Sequence, residues 1–290
     1  MPYFKIDLHM HTEVSDGTDS PEDIIRLVRE TGIYLFSVTE HDATDGCLVI
    51  RDKLKKGDPD FIFGVEFSCQ DEAGKYHILG YGYDPDAPSI RNLEAIGHGF
   101  RIGKTEKRFA FLEKEFGFSF SDEDRASILA LDNPGKPHLA NMMVKYGYAG
   151  SKEEAILIYL NLFDGRQEHV RPEDAISAIA DANGISVLAH PSFGSGEEFI
   201  TGEQMEQRLI KLIGFGLRGV EAYYSGMGSA LRREMEAFAD RFGLYVTAGS
   251  DYHGSNKQVR LGQTNLEKEK DYPAGLVRFL NDVRVFHPLA

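Results

Sequence analysis

Cysteine is nearly missing: Cys47 and Cys69 are the only two in 290 residues. Two isolated thiols make neither a disulfide framework nor a zinc ribbon, and they fit a reducing cytoplasm. No run approaches the ~18 apolar residues that would span a bilayer. The chain enters its first strand without a basic and an apolar leader segment, so neither a signal peptide nor a membrane role is expected. Basic residues are in short supply as well. Against 46 Asp and Glu stand 32 Lys and Arg, a formal net charge of −14. Such a surface repels long nucleic acid, although a small phosphorylated molecule is admissible where metal ions supply positive charge locally. Internal repeats, low-complexity segments and coiled-coil heptads are also missing. What is present is 42% hydrophobic and 27% charged, the composition of an ordinary globular chain. The length suits one large domain or one domain with an insertion.

Strands and helices alternate over the first third. Lys5–Thr12 reads as a strand. Ser20 is a good N-cap, Pro21 fits the first helical position, and Glu22 and Asp23 suit the positive end of the helix dipole. Tyr34–Thr39 is apolar on both faces, as a doubly covered parallel strand should be. A helix around Cys47 to Lys56 precedes a strand at Asp60–Ser68, and Lys75–Tyr83 is a further strand. The repetition predicts an α/β fold with a parallel sheet. From about Pro85 to about Glu168 the pattern is helical only, with Phe109, Leu112 and Phe116 and then Leu139, Met142, Met143 and Tyr146 at helical spacing. The expected division is a discontinuous domain, 1–84 with 171–290, and a helical insertion or lid, 85–170. The βα rhythm resumes with strands at Ile185–Ala189, Gly219–Tyr223 and Leu244–Gly249.

The chemistry collects at the strand ends. His9 and His11 are two residues apart on a strand, so both imidazoles point to one face and form a bidentate clamp. Asp16 follows in a tight loop. His41, Glu66, His190, Asp251 and His253 are each expected at or just past the C-terminal end of a strand, and in a (β/α) barrel those ends share one rim. Mixed imidazole and carboxylate donors suit Zn, Mn or Fe, and their number suggests more than one ion.

The motifs Asp7-Leu8-His9-Met10-His11, Ser15-Asp16-Gly17, Thr39-Glu40-His41-Asp42, Gly64-Val65-Glu66, His77-Ile78-Leu79-Gly80, Ala189-His190-Pro191 and Gly249-Ser250-Asp251-Tyr252-His253 resemble those of the polymerase and histidinol phosphatase (PHP) family. They span residues 7 to 253 in the family's order. The resemblance implies a metal-dependent phosphoesterase on a distorted (β/α)7 TIM-like barrel, with two or three divalent ions (Mn, Fe or Zn). One ion would sit on His9, His11, Glu66 and Asp251, a second on Glu66, His77 and His190, and a third on Asp16, His41 and His253. Glu66, His190, Asp251 and His253 would act through a metal-bridging hydroxide that attacks phosphorus in line. Glu40 stands where the family usually has Asp, and with Asp7 and Asp42 it is expected to orient the ligands from behind.

The insertion resembles the branch that hydrolyses nucleoside 3′,5′-bisphosphates and the 5′ ends of short oligoribonucleotides. Gly135-Lys136-Pro137-His138 matches its basic-x-His element, and Arg166 keeps the basic residue of a second element, with His169 in place of Tyr. Lys136, His138 and Arg166 are therefore candidate phosphate contacts, and the expected partner is a small phosphorylated substrate. Alternative readings are a phosphatase of another small phosphomonoester, such as histidinol phosphate, and a non-catalytic metal-binding regulatory barrel. Other features have plainer explanations. His98 and His287 belong to no motif. Arg101, Lys104 and Arg108 read as a solvated helix face. Tyr223 and Tyr224 are candidates for lining a pocket, and Cys69 for a buried free thiol.

Overall fold

The computed structural model describes residues 5–131, 134–163, 169–195, 198–266, 269 and 271–288. The chain forms two compact units, Met1–Glu94 with Val170–Ala290, and Ala95–His169. In the first unit lie β1 (Lys5–Asp7), α1 (Pro21–Glu30), β2 (Ile33–Phe36), α2 (Asp45–Lys53), β3 (Asp60–Phe61), β4 (Gly64–Asp71) and β5 (Gly74–Tyr81). Helix α3 (Pro88–Phe116) starts there and continues into the second unit, which adds α4 (Asp122–Leu129), α5 (Lys136–Lys145) and α6 (Lys152–Glu154). The first unit then resumes with α7 (Pro172–Asp181), β6 (Ile185–Leu188), α8 (Gly202–Gly214), β7 (Gly219–Tyr224), α9 (Ser229–Phe242), β8 (Tyr245–Gly249) and α10 (Ala274–Asp282).

Local chemistry explains the helix ends. The Ser20 hydroxyl accepts from the Asp23 N–H, a cap that stabilises the start of α1 by about 1 kcal/mol. Ile24, Ile25 and Val28 then fall on one face and pack with Met10, Phe36, Val38, Ile50 and Phe61 in one apolar core. Helix α9 ends on Gly243, whose φ of 68° is the left-handed turn that glycine takes without a Cβ clash. Among the described residues no helix is long and apolar enough to cross a membrane.

Strands β1, β2 and β3 form a parallel sheet, and β4 to β8 pair in chain order in a second sheet. Backbone hydrogen bonds link the two. The Leu8 N–H donates to Ala248 O at 2.9 Å and the Asp251 N–H to His9 O at 2.7 Å, joining the stretch after β1 to β8 and its continuation. On the other side the Glu66 N–H donates to Glu40 O and the Asp42 N–H to Glu66 O, each at 2.9 Å.

This α/β sheet is mixed, not parallel as the rhythm of strands and helices predicts. β5 runs antiparallel to both β4 and β6. The reason is the connection: only Glu72 and Ala73 separate β4 from β5, and a parallel pair needs a crossover of a dozen residues or more. The rim expectation changes with it. Glu66 is the third residue of an eight-residue strand, not its end, because β4 runs on into the hairpin.

The second unit is helical among its described residues, with Phe109, Leu112, Phe120, Leu139, Met142 and Met143 in one core. Its Arg108 does not belong to a solvated face: the residue is buried, and its guanidinium lies 5.9 Å from the centre of the Phe163 ring.

Candidate metal centre

Glu66 is the hub. Its carboxylate is buried, and five imidazole nitrogens lie close to it: His9 Nε2 at 3.3 Å, His11 Nε2 at 3.1 Å, His41 Nδ1 at 3.2 Å, His77 Nδ1 at 2.8 Å and His190 Nε2 at 3.1 Å. Asp251 Oδ1 lies 3.5 Å from Nε2 of both His9 and His11, and 3.4 Å from His253 Nδ1. Asp16 stands 3.2 Å from His253 Nε2 and 3.8 Å from His41 Nε2. All nine residues expected as metal ligands therefore meet in one mesh. Four overlapping sets within it bring three or four donor atoms close together: His11 with Asp16, His41 and His253; His9 with His11 and Asp251; His9 with Glu66 and His190; His41 with Glu66 and His77. This grouping shares His9, His11 and His41 more widely than the three separate sets implied by the family resemblance.

Several backbone features aim these groups. His190 and Asp251 have φ of 26° and 58°, and Asp42 beside His41 has 51°. Positive φ in non-glycine residues is strained and turns each chain sharply after its strand. The buried Glu40 carboxylate accepts from the Thr12 N–H at 3.1 Å, from the Thr12 hydroxyl at 2.5 Å and from the Ser15 hydroxyl, which fixes the loop that presents Asp16. Asp7 accepts from the N–H groups of Ser250 at 2.9 Å and Gly262 at 2.7 Å, tying β1 to the turn that carries Asp251. Asp42 accepts from the Ser68 N–H at 2.9 Å.

Burial and close neighbouring charges shift many of these groups. Burial pushes the Glu40 carboxyl up to about 7 and the Asp7 carboxyl up to about 6. For Glu66 burial works in the same direction but is outweighed by His77, His41 and His9, which hold its carboxyl well below the usual range. Burial opposes a charge on His9, yet Glu221, Glu66 and Asp251 raise its imidazole well above the usual value. Burial and the neighbouring His253 lower His11 to about 4. Burial also opposes a charge on His253, but Asp16 and Asp251 raise it to about 9.

Asp7, Glu40, Glu66, Glu221 and Asp251 are all buried here, with Asp16 partly so. Buried carboxylates without compensating charge cost several kcal/mol each. Moreover, His11 Nε2 and His77 Nδ1 are buried and make no hydrogen bond, although both face Glu66 at about 3 Å. Divalent cations fit this donor set: borderline imidazole plus hard carboxylate, with nitrogens left over.

Two residues escaped the motif reading. Glu221, fully buried in β7, accepts from His9 Nδ1–H at 2.9 Å and from the His190 N–H at 2.8 Å. It thereby fixes the His9 tautomer that offers Nε2 to the centre. A lone Glu inside Gly219–Tyr224, a strand buried throughout, was the available signal, because such a carboxylate needs a partner. Lys257, just past the turn at Gly254–Asn256, forms an ion pair with Asp251 Oδ2, and its Nζ lies 3.3 Å from the Tyr224 hydroxyl.

The centre opens into a cavity of about 190 Å³, walled by His41, Glu66, His77, His190, Asp251 and His253, and by Phe193, Ser195, Tyr224 and Lys257. Tyr224 belongs to it but Tyr223 does not. Glu221 pairs with Thr247 while Tyr223 pairs with the next residue, Ala248, so Ala222 is an extra residue in β7. That bulge leaves Glu221 and Tyr224 facing the site and turns Tyr223 to Glu236 of α9. The insertion candidates Lys136 and His138 lie at the start of α5, where His138 Nδ1 accepts from the Gly135 N–H at 3.2 Å and Lys136 Nζ donates to Asn161 Oδ1 at 2.7 Å. Arg166 lies outside the described residues. His287 is exposed against Asp60, and Cys69 is a buried free thiol.

Residues 7–164 match the model of the PHP domain. The chain is 30% identical over 267 residues to the 3′,5′-nucleoside bisphosphate phosphatase of Chromobacterium violaceum, covering 88% of this chain and 89% of the relative. It is 29% identical to the phosphoribosyl 1,2-cyclic phosphate 1,2-diphosphodiesterase of Eggerthella lenta, over 87% and 95% of the two chains. It is 27% identical to the 5′-3′ exoribonuclease of Haemophilus influenzae, over 89% and 93%. The crystal structure of a Bifidobacterium adolescentis protein described as a metal-dependent phosphoesterase superposes with a TM-score of 0.79 at 26% identity, over 91% of this chain and 92% of that one. Like the mesh of histidines and carboxylates around Glu66, these likenesses draw on most of the chain, and it belongs to the PHP family of metal-dependent phosphoesterases.

Proposed function

We propose that the chain hydrolyses a phosphate monoester of a small nucleotide, a nucleoside 3′,5′-bisphosphate or the 5′ end of a short oligonucleotide. The observation that carries this reading is the Glu66 hub, with its surplus of buried carboxylates and imidazole nitrogens, opening onto a cavity of phosphoryl size. The name of one similar protein speaks of a nucleoside bisphosphate and that of another of RNA attacked from its 5′ end. We read the seven strands, with β3 and β4 taken as one broken strand, as a distorted (β/α)7 barrel, supported by the hydrogen bonds that join the stretch after β1 to β8 and its continuation, and Glu40 to Glu66.

His9, His11, Asp16, His41, Glu66, His77, His190, Asp251 and His253 would hold two or three divalent ions, Mn, Fe or Zn. Such ions would supply a water of lowered pKa and offset charge building on the phosphoryl oxygens. The chain's own groups do the rest. Glu221 holds His9 and the backbone of His190 in place, and Glu40 holds the loop that carries Asp16. Lys257 is the only ammonium-bearing side chain that walls the cavity among the described residues, and it binds a non-bridging phosphoryl oxygen. Lys136 and His138 remain candidate phosphate ligands on the strength of their motif.

A substrate panel with added Mn²⁺ tests the reading: adenosine 3′,5′-bisphosphate, a 5′-phosphorylated dinucleotide, histidinol phosphate and a ribose 1,2-cyclic phosphate. Turnover of a nucleotide monoester is expected, and His190→Ala should abolish it and lower bound metal. Exclusive turnover of histidinol phosphate or of the cyclic ester would overturn the substrate class. Full activity of His190→Ala would overturn the metal centre.

A further inference from the structure

The cavity beside Glu66 is small. Its volume is about 190 Å³. That suffices for a phosphoryl group but not for the nucleoside attached to it, since pockets that enclose drug-sized ligands start at ~300 Å³. The remainder of a nucleotide must therefore lie against the surface outside. Among the described residues of this unit, a run of aromatic rings leads from the cavity. The His190 ring lies 5.5 Å from Tyr224, Tyr224 lies 5.8 Å from Phe193, and Phe193 lies 6.0 Å from Phe199. Burial falls along the run, with Tyr224 9% and Phe199 66% exposed and Phe193 in between.

Phe199 gains little from folding in that position. An exposed phenyl ring on a loop forgoes most of the burial that makes aromatic residues stabilising in a core. Among the described residues, the large and strongly exposed apolar side chains include two aromatics, Tyr34 and Phe199, and of these Phe199 is the one in ring contact with the cavity wall.

Resting on the nucleotide reading above, we infer that Phe199 and Phe193 form a stacking platform for the nucleobase of the substrate. Stacking on a π-face suits any base, so the platform selects nucleotides over plain sugar phosphates without choosing among bases. It also explains how a cavity with room only for a phosphoryl group serves a larger substrate: the phosphate enters, and the base stays outside on Phe199.

The chain contains no tryptophan, so Phe199→Trp places a single indole at the platform. Adenosine 5′-phosphate should quench its fluorescence at concentrations where ribose 5-phosphate does not. In steady-state assays, Phe199→Ala should lower the ratio of kcat/KM for adenosine 3′,5′-bisphosphate to that for ribose 5-phosphate about ten-fold, mainly through KM. Equal quenching by the two ligands, or an unchanged ratio, overturns the platform while leaving the nucleotide reading standing. If the unaltered enzyme turns over ribose 5-phosphate but no nucleotide, the substrate reading fails and the platform fails with it.

Discussion

His9 shows how one side chain depends on a carboxylate far along the chain. Its Nδ1–H is committed to Glu221, and only then does Nε2 face Glu66 and Asp251. Glu221→Ala frees the ring to turn and leaves the His190 N–H without its acceptor. Metal affinity should fall 10- to 100-fold, measurable by competition with a chelating indicator. An unchanged affinity would remove Glu221 from the centre. Lys257 sits on the other side of Asp251 and has a different task. Lys257→Met should lower kcat/KM by about 100-fold, the usual loss of one positioned donor, while the metal content stays within twofold of the original. Loss of metal along with activity would instead mean that Lys257 serves only to hold Asp251. Both residues were illegible as motif members for a simple reason: each works through its environment, and a Glu in a strand or a Lys in a loop carries no spacing of its own. His9 and His11 were legible from their two-residue spacing, although β1 ends at Asp7 and leaves both just past it, where Nε2 of each still faces Glu66.

Among the elements, β7 and the β4–β5 hairpin govern what reaches the centre. The alternation of Val220, Glu221, Ala222, Tyr223 and Tyr224 does not reveal the extra residue at Ala222. Only the pairing with β8 decides which tyrosine enters the cavity. The hairpin was legible in principle, since the six residues between the expected strands Asp60–Ser68 and Lys75–Tyr83 are too few for a parallel crossover, yet the βα rhythm on either side masked it. The helix starts were easier to read because Ser20 and Pro21 act within one turn. β8 meets the stretch that follows β1 at Gly249, where a Cβ would collide with the His9 Cβ and the Glu221 carboxylate. Gly249→Ala should therefore cost about 1–3 kcal/mol in urea unfolding and weaken metal binding as well. A fully stable variant with normal metal content would mean that β1 and β8 can move apart freely.

For the whole molecule, bound ions are stability as well as chemistry. Ions that bind the folded chain and not the unfolded one stabilise by about 2.7 kcal/mol at 100 times Kd. For a chain of this size that is a rise in Tm of roughly 4–5 °C, read by thermal scans with and without Mn²⁺. Chelation should reverse the rise and abolish turnover together. A Tm indifferent to both would show that the mesh around Glu66 holds no ion. The hydrogen bond from Ser250 to Asp7 joins positions 243 residues apart, which carries a consequence for biosynthesis. The ribosome delivers His9 and His11 early but Asp251 and His253 last among the expected ligands. At ~5–20 residues per second the first strand waits roughly 10–50 s for its partner. Metal loading is thus a late event in the life of each new chain, and a stalled or truncated one would carry exposed imidazoles with no centre to complete.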